Sequence, residues 1–203
     1  MVSLSTVLEK ITYGFQSMTY PGDFNIVYDN SENNLECVEI QQTFVGKHWT
    51  ELTLETLLEQ KSALGFLTPE AFQFYLPAYL SIVIQEFDEV DVLPDNTVFY
   101  LTLPLEVDQL YQLNAIQDLP NDLQSAFDQS ANEIKPMINQ FLLEELSRST
   151  QRVHNFIERV SGFNQQQGQA IRYYLEYLSE NTDYFIRDQP KVAIDRYWFI
   201  FPL

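Results

Sequence analysis

The groups in this chain that could do chemistry are two histidines, one cysteine and 29 carboxylates. Metal ligation and nucleophilic catalysis need such groups at short, defined spacings. His48 has Glu51 three residues on, and His154 has Glu158 four residues on. Two potential ligands do not make a metal site, so each pair is expected on a solvated face. Cys37 has no activating neighbour in sequence and reads as a small buried hydrophobe. The densest carboxylates are Glu86, Asp88, Glu89, Asp91 and Asp95. They could attract Ca²⁺ or Mg²⁺, but the EF-hand loop needs a glycine at its sharp turn and a glutamate at its last position, and both are missing. With only six glycines there is no phosphate-cradling loop and no nucleophile elbow. Carboxylate pairs for acid–base work can be drawn from any set of 29, so they discriminate nothing. The expectation is no catalytic, cofactor-binding or metal site.

Charge says more. The net charge is −18, and from Ser62 to Glu133 there are 12 Asp/Glu and no Lys or Arg. Such a surface offers no counter-charge to a nucleic-acid backbone or an anionic membrane, so both are excluded as expected partners. A basic protein suits it, as does mimicry of a nucleic-acid surface. A solvated face kept soluble by like charge accounts for the same composition. Eight of the 11 Lys/Arg follow Glu133, which separates the two signs along the chain. One cysteine excludes an internal disulfide framework and fits a reducing cytoplasm. The opening MVSLSTVLEKITYGF has neither a basic n-region nor a continuous apolar run, so no signal peptide is expected.

The elements that must position these groups are mainly helical. A chain of 203 residues, 45% hydrophobic and 14% aromatic, can bury a large core and is most simply one domain, 1–203. Its organising stretch is Pro69 to Phe87, PEAFQFYLPAYLSIVIQEF. Thr68 can cap it, Pro69 at N1 loses nothing by lacking an N–H, and Glu70 meets the positive end of the dipole. The run is apolar on nearly every side, as in a buried helix, and is shorter than the roughly 20 residues of a membrane span. Pro77 inside it removes one helical hydrogen bond and predicts a bend. Leu4, Val7, Leu8, Ile11 and Phe15 define an amphipathic helix, with a capping box at Thr6 and Glu9. Leu35–Val45 is a second, stopped by Gly46. Leu54, Leu57 and Leu58 lie on a third, capped by Thr50 or Thr53. Thr97–Leu103 is rich in β-branched and aromatic residues and is the chief candidate for a minor β element, with an extended or helical segment as the alternative because a single strand has nothing obvious to pair with. Leu105–Leu119 is weakly periodic, and Asp118–Asp122 reads as a turn. Apolar stripes recur from Ile134 to Leu146, Val153 to Val160 and Gln167 to Leu178. The apolar tail, Lys191–Leu203, is expected to dock on the core. The fold class is all-α: an irregular multi-helix domain around a buried central helix.

Trp49, with His48 before it and Tyr75 and Tyr79 on the central helix near Pro77, could line an aromatic pocket. The same rings at helical spacing serve equally as core.

Several blocks carry a resemblance. Tyr20-Pro21-Gly22-Asp23 with Asn25-Ile26-Val27, then Gly46-Lys47-His48-Trp49, then Leu67-Thr68-Pro69-Glu70-Ala71-Phe72 with Tyr75-Leu76-Pro77-Ala78-Tyr79-Leu80, resemble a family of small bacterial domains of unknown function. Its members are similar in a Trp followed by an "LSPEAFRYYLPAYL"-like block, and in a late "Q-x-x-A-I" element matched by Gln167-Gly168-Gln169-Ala170-Ile171. The resemblance covers roughly residues 6 to 180. It implies one domain holding these blocks and brings no activity. Function is therefore read from charge. The sequence points to a non-catalytic acidic module, immunity-like or an adaptor, that binds a basic protein through Glu86, Asp88, Glu89, Asp91 and Asp95. The alternative is an enzyme or small-ligand binder at His48, Trp49, Tyr75 and Tyr79.

Overall fold

The computed structural model describes residues 2–106, 108, 131–185 and 188–203. They are mainly helical, with eight α-helices. The readings at Leu105–Leu119 and Asp118–Asp122 fall largely or wholly outside them. The chain forms two units, one of residues 1–103 with 158–203, the other of 104–157.

The larger unit is built on α4, Pro69–Gln85. Thr68 Oγ1 accepts from the Ala71 N–H at 3.1 Å and donates to the Asn25 carbonyl at 2.7 Å. One side chain thus starts the helix and fixes its entry. Val27 and Leu67 form an isolated antiparallel bridge at the same point. From Phe74 to Leu80 every residue of α4 is buried, which confirms the all-round apolar reading.

α1 (Leu4–Phe15) begins earlier than its capping box suggests, because Ser3 Oγ accepts from the Thr6 N–H at 3.2 Å. The same chemistry one turn sooner brings Leu4 into the helix. α2 (Leu35–Phe44) is capped by Asn34, and Gly46 follows it at φ 70°. α3 (Leu54–Glu59) is capped by Thr53. α5 spans Leu93–Leu101.

That range corrects the β expectation for Thr97–Leu103. Among the described residues there is no strand, and Thr97 to Leu101 is helical. Leu93, Thr97, Val98 and Leu101 are buried, at i, i+4, i+5 and i+8. Thr97 Oγ1 donates back to the Leu93 carbonyl at 2.7 Å. β-branched composition is a weak preference with no partner strand to realise it, and burial of a helical stripe decides the outcome.

α6 is one helix, Ala131–Val160, where the sequence shows two stripes. In the smaller unit, Ser149 Oγ donates to the Glu106 carboxylate at 3.4 Å. α7 (Gln165–Asn181) has Asn164 and Gln167 as a reciprocal capping box. It packs along α1, close enough that a Cβ on Gly14 would lie 3.2 Å from the Gln166 carbonyl oxygen. α8 is Gln189–Arg196. The tail docks as expected: Trp198 is fully buried and its indole N–H donates to the Leu101 carbonyl at 2.6 Å. Arg172 binds the Phe201 carbonyl at 3.1 Å, and Gln169 the Pro202 carbonyl at 2.6 Å. Among the described residues no helix is long and apolar enough to cross a membrane.

Candidate functional site

The acidic residues of interest sit where the core ends. α4 stops because its apolar run stops, and Glu86 is its C-cap. The chain turns through residues 87–92 and re-enters a helix at Leu93, with Pro94 and Asp95 in its first turn. Val90 and Leu93 anchor the turn by full burial. Glu86, Asp88, Glu89 and Asp91 are left exposed. Asp91 takes a left-handed backbone, φ 49°, and its carboxylate pairs with Lys61. Glu86, Asp88 and Glu89 have no cationic partner among the described residues. Asp95 stands apart. It is half-buried and accepts a hydrogen bond from the Tyr184 hydroxyl. That hydrogen bond, burial and the negative charge of Asp95 push the Tyr184 phenol up to about 12. Of the five predicted carboxylates, the structure thus groups four at the turn and commits Asp95 to packing the chain after α7 onto α5.

The aromatic candidates are placed differently. Tyr75 and Tyr79 have no exposed surface. The Tyr75 hydroxyl donates to the carbonyls of Phe44 and Lys47 at 2.8 and 3.2 Å, and the Tyr79 hydroxyl reaches the Gln60 carbonyl at 3.5 Å. Burial pushes both phenols far above their ordinary range. The Tyr75 ring packs edge-on in the core, 4.8 Å from Phe44 and 4.9 Å from Phe74 between centroids. Both hydroxyls are thus directed at backbone carbonyls of the core. Trp49 is 6% exposed, and its indole N–H is buried without an acceptor among the described residues. His48 caps a short 3₁₀ turn, Trp49–Glu51. Its Nδ1 accepts from the Thr50 N–H at 3.3 Å, while the His48 backbone N–H donates to the Glu51 carboxylate. The His48–Glu51 spacing is therefore a capping box. His154 and Glu158 lie exposed on α6. Cys37 is fully buried, and burial raises its thiol above the ordinary value. Among the described residues no group of three or more His, Cys, Asp or Glu could hold a metal ion.

Sequence reasoning took α3 for its leucines alone. In the structure Leu54, Glu55, Leu58, Glu59 and Lys61 line a depression of about 500 Å³ together with Glu89 and Asp91. The signal was present in L-E-T-L-L-E: both the leucine and the glutamate recur at i+4, which sets two parallel rows on one helix.

The profile of DUF6714, a family of unknown function, matches residues 6–119. That range holds the Tyr20, Trp49 and YLPAYL blocks and omits the Gln167–Ile171 element. No curated protein and no solved structure matches the chain.

Proposed function

The chain belongs to DUF6714, a family of unknown function, and with no activity to inherit we propose one from its surface: a non-catalytic interaction module that offers an acidic face to a basic protein partner. An immunity protein or a regulatory adaptor would work in this way. The observation that carries the reading is the turn between α4 and α5. Glu86, Asp88 and Glu89 are exposed there without a cationic partner among the described residues, inside a stretch that has no Lys or Arg from Ser62 to Glu133. Crowded carboxylates repel one another, and a cation from outside relieves that repulsion. They also steer a basic partner into encounter, an effect that falls as salt screens it. The compartment that suits one reduced cysteine is the cytoplasm.

The test is affinity capture followed by mass spectrometry, with the wild-type chain and a Glu86→Gln, Asp88→Gln, Glu89→Gln triple variant as baits. A basic protein retained by the wild type, released by salt and lost to the variant is expected. Failure to retain any basic protein, or capture that ignores both salt and the triple substitution, would overturn the reading.

A further inference from the structure

The depression beside the acidic turn narrows the kind of partner. Leu54 and Leu58 are half-buried and give it an apolar floor. Glu55, Glu59, Glu89 and Asp91 stand around that floor, against one cation, Lys61. All five charged residues are exposed. Apolar ground beside four carboxylates and one lysine is complementary to a segment that carries leucine-like side chains on one face and cations beside them. An acidic ligand would meet four like charges against one cation, which is already paired with Asp91. A wholly apolar one would strip water from carboxylates and return nothing for it.

We infer that this groove takes a basic amphipathic segment of a partner protein, with its apolar side chains on Leu54 and Leu58 and its Lys or Arg on the rim carboxylates. Lys61 holds one of those cation positions in the unbound protein through its pair with Asp91. An exposed ion pair of this kind is weak, so an incoming cation displaces it readily. Lys61 is thus an internal competitor. The inference rests on the acidic-face reading above and adds both the apolar requirement and the competitor.

Fluorescence anisotropy at about 0.15 M salt tests it with two labelled peptides of equal positive charge. One is a lysine–leucine sequence of about 14 residues with helical amphipathic spacing, and the other has serine in place of each leucine. The leucine peptide is expected to bind roughly tenfold tighter, the yield of burying about one leucine side chain. Leu58→Ser should erase that preference. A Glu55→Gln, Glu59→Gln variant, which leaves the floor intact, should weaken the leucine peptide roughly threefold or more. Lys61→Ala should tighten both peptides about twofold. Equal affinity for the two peptides, with Glu55→Gln, Glu59→Gln silent, overturns the groove and leaves the acidic face standing. Binding that is unchanged or weaker in Lys61→Ala overturns the competitor. Absence of binding by both peptides, even at low salt, overturns the groove and the acidic-face reading together.

Discussion

Two phenols without exposed surface differ in what their hydroxyls reach. The Tyr75 hydroxyl satisfies the carbonyls of Phe44 and Lys47, the last residue of α2 and the start of the loop to Trp49. Tyr174 is also fully buried, yet among the described residues its hydroxyl has no hydrogen-bond partner, and its polar neighbour Thr97 donates to Leu93 instead. A satisfied buried hydroxyl contributes, whereas an unsatisfied one carries a desolvation cost. Tyr75→Phe should therefore lose about 1–2 kcal/mol, and Tyr174→Phe should lose nothing or gain up to about 1 kcal/mol. Urea unfolding of the two variants beside wild type measures both. Sequence reasoning could place each tyrosine on a buried face. It could not distinguish them, because the partners of Tyr75 lie 28 and 31 residues away in the chain.

At the scale of elements, legibility follows how local the deciding chemistry is. The start of α4 is written in three adjacent residues, Thr68, Pro69 and Glu70, and the structure uses them so. Thr68 also reaches back to Asn25, a contact no local pattern encodes. Thr68→Ala removes the cap and that contact together and should cost about 2 kcal/mol, while Thr68→Ser keeps both oxygen contacts and should cost under about 0.5 kcal/mol. Thermal or urea unfolding of the pair checks it, and equal losses would refute the dual role. α5 shows the opposite case. Its residues favour a strand locally, and its helical state depends on burying Leu93, Val98 and Leu101 against distant elements. The acidic turn was legible from composition. The groove beside it was not, because α3 and the turn are some 30 residues apart, as the Lys61–Asp91 pair records.

For the whole molecule, the aromatic core sets the response to alkali. Burial raises Tyr75, Tyr79 and Tyr174 well above the ordinary phenol value, and Tyr100 and Tyr197 in the same direction. A group whose folded value is raised stabilises the fold fully below its unfolded value, and that stability drains as pH rises towards the folded one. Unfolded tyrosine releases its proton near pH 10, so stability should fall above about pH 10 by roughly 1.4 kcal/mol per pH unit for each buried phenol. The share of phenolate absorbance that belongs to these buried tyrosines should then appear only together with loss of helix, in one cooperative step, apart from the share of exposed tyrosines such as Tyr13 and Tyr28. Complete phenolate formation with the helical signal intact would refute it. The helical class itself was readable from periodicity, since amphipathic spacing survives without knowledge of neighbours. A last consequence concerns where one may cut the chain. The family segment, residues 6–119, contains all but the first two residues of α1 and none of α7, the helix laid along it. Val7, Ile11 and Phe15 are wholly buried in the intact protein. A fragment trimmed to the family boundary would keep the packing of α1 on α4 but lose its cover by α7, so the side of α1 that faces α7 would need a substitute, either another helix or the corresponding face of a twin.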